Sequence, residues 1–248
     1  MTAVSETGHA KNVANFSELV SFVSAFGAAY NPSKTSIQLT ALQALTAASQ
    51  NALKAVNTAM PAYSIAVAER EKAFMPLSKL CTRIINALKA SDASTQLQDD
   101  AKTLLRKLQG QRATPKKTEA EKQAMLAEGK TVKEISTSQM SYDSRLENFD
   151  KLISLLKGIA QYTPNEADLK ADALSAHFAI LKIKNAAVIS AAIPLSNARL
   201  SRNNVLYNDN TGLVDVAQDI KAYIKSVFGA SAPQYKQISK LTFKAVKL

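Results

Sequence analysis

One cysteine, two histidines, seven glycines and seven prolines are spread over 248 residues, and each scarcity excludes something. A single thiol, Cys81, forbids an intrachain disulfide. One cysteine with two histidines leaves too few ligands for a zinc centre of the usual kind. So little glycine and proline encodes few turns, which points to long helices rather than many short strands. Long hydrophobic runs are missing as well. The longest largely apolar stretch, Ala186–Ile193, falls far short of the roughly 20 residues that a membrane span needs, so no transmembrane segment is expected. The opening residues Met1–His9 do not place a basic segment before an apolar one. No secretory signal is therefore expected, and the cytoplasm is the expected compartment.

Against these scarcities, 46% of the residues are hydrophobic, enough to bury a core and to exclude wholesale disorder. The formal net charge is +11, but the excess is spread along the chain and no dense basic run exists. Charge distributed in this way favours solubility and argues only weakly for a nucleic acid or an anionic membrane as partner.

The most informative feature is an internal repeat. Phe16, Leu19, Val20 and Val23 align with Phe149, Leu152, Ile153 and Leu156. Tyr30-Asn31-Pro32 aligns with Tyr162-Thr163-Pro164, and Pro61 with Pro194. Leu80, Ile84 and Leu88 align with Val216, Ile220 and Ile224. Helical periodicity alone would align apolar positions, but not prolines and a tyrosine in the same order. Each copy predicts the same series. A first helix lies near Asn15–Ala28 and near Arg145–Ala160, its apolar residues at three- and four-residue steps. A long second helix, begun by Asn31-Pro32 and by the capping box Thr163-Pro164-Asn165-Glu166, should kink or break at Pro61 and Pro194. A third lies near Leu77–Ala90 and Leu213–Phe228, and a shorter fourth near Thr95–Leu108 and Pro233–Phe243. The expected organisation is a first unit at 1–109, a polar linker at 110–140 carrying at most a short helix near Glu119–Glu128, and a second unit at 141–248. The linker's lysines and few apolar anchors predict an exposed, protease-sensitive segment.

The stretch from Ser138 through Phe149 to Lys151, the segments Asn197–Tyr207 and Gly212–Val216, and Pro233–Lys240 resemble an uncharacterised family of bacterial tandem-repeat helical hypothetical proteins. The resemblance implies a bacterial cytosolic origin and no known activity.

The residues that carry chemistry elsewhere form no recognisable set here. His9 lies in an opening segment expected to fray. His177 sits on a helix without a His-Glu-x-x-His or Glu-x-x-His partner and is expected to be half-buried. Cys81 is expected on a buried apolar face, where a free thiol is inert. The segment Asn208–Gly212 fails as a calcium loop, because Tyr207 and Gln218 fall where carboxylates are required; an Asn/Asp turn is the expected role. No phosphate loop or dinucleotide fingerprint occurs. Asp168 and Asp172 look like charges on a solvated face. The most basic polar stretch of the second copy offers Lys182, Lys184, Arg199 and Arg202 as candidate polyanion contacts.

The expected fold is therefore all-α, an elongated helical bundle of two tandem, pseudo-two-fold related units. The expected function is a non-enzymatic scaffold or protein-interaction role, with no cofactor or metal and with an unknown protein or a second copy as partner. The alternatives are a basic nucleic-acid or polyanion-binding protein and a long-helix, pore-forming-like membrane-active protein.

Overall fold

A computed structural model describes residues 8–111, 118–129 and 140–245. Among the described residues the chain is helical without a strand. In chain order the helices are α1 (His9–Ala25), α2 (Leu39–Phe74), α3 (Leu77–Lys89), α4 (Thr95–Leu108), α5 (Glu119–Ala127), α6 (Tyr142–Lys157), α7 (Ala171–Tyr207), α8 (Leu213–Phe228) and α9 (Pro233–Ser239).

The long helices α2 and α7 begin later than their prolines suggest. Pro32 and Pro164 each precede a single 3-10 turn, at Thr35–Ile37 and Ala167–Leu169. Gln38 and Lys170 then adopt extended ψ of 148° and 142°, and their carbonyls accept the first α-helical bonds, from Leu42 and Leu174. The same side-chain bond holds both turns: the Tyr30 hydroxyl donates to the Ile37 carbonyl at 2.7 Å, and the Tyr162 hydroxyl to the Leu169 carbonyl at 2.9 Å. Pro61 and Pro194 lie inside the helices and do not break them. Both prolines are exposed, so water can satisfy the carbonyls that their missing N–H groups leave behind.

The chain packs as two compact units. One compact unit consists of Met1–Ser64 with Ala191–Leu248, and the other of Ile65–Ser190. Each boundary falls inside a long helix, because α2 and α7 each run on from one unit into the next.

In the first unit, α1, the beginning of α2, the end of α7, α8 and α9 bury Phe16, Leu19, Val23, Leu42, Leu206, Ile220, Ile224 and Ile238 together. After α9 the chain passes along α1. There Asn12 grips the backbone of Lys244 twice, donating to its carbonyl at 2.8 Å and accepting from its N–H at 3.0 Å. In the second unit, the end of α2, α3, α4, α6 and the beginning of α7 bury Phe74, Ile84, Leu88, Leu108, Phe149, Leu152 and Leu174. The linker's short helix, α5, is capped by Thr118 and Glu121 in a capping box and buries no residue. The rest of the linker, 112–117 and 130–139, lies outside the described residues. The expected core positions Leu19, Val23, Ile84, Leu152, Leu156, Val216 and Ile220 are all buried, whereas Leu80 is half-exposed.

The join between α7 and α8 is the expected Asn/Asp turn. Gly212 N–H donates to the Asn208 carbonyl at 2.7 Å, Asn208 donates to Thr211 Oγ1 at 2.8 Å, and Asn210 N–H meets Asp215 at 2.9 Å. A Cβ on Gly212 would stand 2.6 Å from the Asn208 nitrogen and 2.7 Å from its oxygen. Gly212→Ala should therefore force the turn open and destabilise the chain by about 1–3 kcal/mol, measured by urea unfolding. An unchanged midpoint would show that the turn is looser than described.

Candidate interaction surface

The four basic residues singled out above sit in different surroundings. Lys182 and Lys184 are two positions apart on α7, so at 3.6 residues per turn they leave the helix on nearly opposite sides. Lys182 is exposed, but Lys184 pairs with Glu69 at 2.9 Å. Arg199 is half-buried. Arg202 is only 1% exposed, and its Nε and Nη2 donate to Asn203 Oδ1 at 3.1 and 3.0 Å. Its burial was legible in its spacing: Leu195, Arg202 and Leu206 stand seven and four residues apart, the interval of one helix face, and all three are buried.

His9 departs from expectation too. It is buried within α1, with Nδ1 2.6 Å from the Tyr207 hydroxyl. In the second unit Phe74 packs edge-on against Tyr142 at 4.9 Å, with the Arg70 guanidinium 3.8 Å over the Tyr142 ring. Arg70 also donates to Asn185 Oδ1 at 3.2 Å, and Asn185 donates to Asp143 at 2.7 Å. This chain of polar groups ties α2, α6 and α7 together.

His177 is half-buried, as its helix position suggests. Its ring meets Phe149 edge-on at 6.1 Å, and burial holds its pKa below the ordinary value. It lines an apolar groove with Leu80, Ala173, Ala176 and Ile180. Asp168 is paired with Arg83. Among the described residues no three His, Cys, Asp or Glu side chains converge as a metal site would require. Cys81 is fully buried, and burial pushes its thiol up to about 12. A thiol so protonated and enclosed is a poor nucleophile. In the native protein a disulfide reagent at pH 8 should label it only as fast as the helices around it open, and at once in denaturant. Rapid stoichiometric labelling without denaturant would place Cys81 at the surface.

The surface of α7 is unusual in what it leaves uncovered. Ile180, Ile183, Ile189, Ile193 and Leu200 are between 50% and 66% exposed. Ala176, Ala179, Ala186, Ala187, Ser190 and Pro194 are exposed with them. At 100° per residue these positions fall on the half of the helix turned away from Leu174, Leu181, Val188 and Leu195, which are buried. From Ala176 to Pro194 the only charges are Lys182 and Lys184. Beyond Pro194 the exposed positions are polar apart from Leu200, with Asn197, Ser201 and Asn204. By length and composition α7 could cross a membrane, yet only 22% of its most apolar window is buried inside the protein. The count of uninterrupted apolar residues missed this, because alanine and isolated polar residues divide the run while leaving the helix face apolar.

No protein-family model, no curated protein and no solved structure matches the chain, so the resemblance to bacterial helical repeat proteins gains no support from them.

Proposed function

We propose that this chain is a non-enzymatic helical scaffold that engages a protein partner through the exposed apolar face of α7. The observation that carries the reading is the row of solvent-facing isoleucines at 180, 183, 189 and 193. A contiguous exposed apolar face of this kind marks an interaction site far more often than an accident of sequence. From Ala176 to Pro194 it extends roughly 27 Å at 1.5 Å per residue, the scale at which one helix lies in the groove of another protein. A membrane span is the weaker reading. The opposite face of the same helix carries Asn185, bonded to Arg70 and Asp143, and Lys184, paired with Glu69, groups that are costly to place in lipid. Polyanion binding has little to rest on once Arg202 is buried and Lys184 paired.

The architecture behind this surface is read as a duplication. The order first helix, 3-10 turn, long helix with an internal proline, third helix occurs twice, and Tyr30–Ile37 and Tyr162–Leu169 repeat one hydrogen bond at one spacing. Each compact unit takes its first helix and the start of a long helix from one copy, and the end of a long helix and the third helix from the other. The two copies are thus interlocked.

A photo-reactive residue placed at Ile183 or Ile193 and activated in the native cell tests the interaction role. The reading expects a discrete protein adduct from either position and none from exposed Gln218 on α8. Adducts with lipid or nucleic acid alone, or with nothing, would refute it.

A further inference from the structure

The isoleucines of α7 stand in an order that fits a second copy of the same helix. Ala176, Ala179, Ile183, Ala186, Ser190 and Ile193 are all exposed. They follow one another at alternating steps of three and four residues, the spacing by which one helix lies along another. Ile180 and Ala187 border this row on one side, Lys182 and Ile189 on the other, and these four are exposed too. A two-fold pair must be its own complement: whatever one residue meets in the second copy must meet that residue in return.

Laid antiparallel, with the two-fold axis at the level of Lys184 and Asn185, the row satisfies that condition. Ile183 then faces Ala186 of the second copy, Ile193 faces Ala176, and Ala179 faces Ser190. In the border rows Ile180 faces Ala187, and Ile189 lies along the aliphatic stem of Lys182. Each large side chain meets a small residue or a flexible stem, which lets the two helices approach to the close end of the usual spacing of roughly 8–10 Å. A register shifted by one heptad would set Ile183 on Ile193 and leave Ala186 facing only Ser190.

The area is sufficient. At roughly 100 Å² for a half-exposed isoleucine and about half of that for each small residue, the face gives up on the order of 700 Å² per chain, within the roughly 600–1,000 Å² that each partner gives to a standard interface. Charge permits the pair as well. Lys182 faces Ile189 and not the second copy's Lys182, and the repulsion between two chains of net charge +11 is screened beyond about 8 Å at physiological salt.

We propose that α7 pairs antiparallel with α7 of a second copy of this chain, in the register that sets Ile183 on Ala186. The proposal rests on the reading of this face as a protein-binding surface and names its occupant.

Sedimentation velocity of the full chain between about 1 and 100 µM should show a species of twice the 26.7 kDa chain mass that grows with concentration. Ile183→Glu should hold the chain as a monomer throughout, with a melting temperature close to the parent's at the dilute end, because the position is exposed. Mild oxidation of Ala179→Cys and Ser190→Cys chains reads the orientation and keeps the test decisive should Ile183→Glu fail to fold; Cys81 is buried in both. The mixture should form a disulfide-linked dimer and either variant alone should not, because like cysteines would stand roughly 16 Å apart along the helix. A chain that stays monomeric to the highest concentration, a dimer that Ile183→Glu leaves intact, or cross-linking of one variant alone as fast as of the mixture would overturn the pairing. A monomer whose photo-adduct at Ile183 is a different protein would remove the second copy and leave the protein-binding reading standing, whereas a monomer without any protein adduct would remove both.

Discussion

Phe16→Ala and Phe149→Ala are each expected to destabilise the chain by about 3–5 kcal/mol, the usual loss when a large buried ring becomes a cavity. Both rings are 0% exposed, one in each compact unit. Against the 5–15 kcal/mol that holds an ordinary domain together, either loss is severe. Ile84→Ala and Ile220→Ala should follow at about 2–5 kcal/mol, whereas Leu80→Ala, at a half-exposed position, should cost much less. Hydrogen exchange resolves where the damage falls. Phe16 packs in the unit that holds α8, so Phe16→Ala should expose the amides of α8, roughly 200 residues away in sequence, and spare those of α3. Phe149→Ala should do the reverse. Loss of protection that spread from Phe16 to α3 and spared α8 would show that α1 packs with α3 and not with α8.

The individual helices were legible because their apolar residues recur at three- and four-residue intervals. The third helices, observed at Leu77–Lys89 and Leu213–Phe228, are almost where that spacing puts them. The long helices were placed too early, because Pro32 and Pro164 look like first-turn prolines. Their segments close into 3-10 turns instead, held by a tyrosine hydroxyl seven residues away. The partnering of helices was not legible at all. A periodic stripe states which face is buried and not what covers it, and α3 and α8 carry similar stripes, so α1 could serve either equally well on pattern alone. Two site residues were misread for a related reason. Arg202 was read by its charge and His9 by its place near the chain start, although the spacing of Leu195, Arg202 and Leu206 shows one buried face. The exposed isoleucines of α7 were hidden by the opposite fault, since that helix is apolar on its open side as well as its covered one.

If each compact unit is built from both sides of the linker, cutting the linker cannot release either half of the chain as an independent body. The first unit needs Met1–Ser64 from one side and Ala191–Leu248 from the other, and the second needs α3 and α4 from one side and α6 from the other. The buried side chains on each side include Phe16 with Ile220 and Ile84 with Phe149. Separation would expose most of both cores, at roughly 25 cal/mol for each Å² of apolar surface returned to water. The direct measurement is to introduce a specific protease site after Lys117, cleave to completion and run the product on size exclusion in native buffer. The two fragments, of roughly 12–14 kDa by the size of such units, should elute together at the position of the intact 26.7 kDa chain and part only in denaturant. Two separate, folded fragments in native buffer would contradict the interlocked packing on which this account is built.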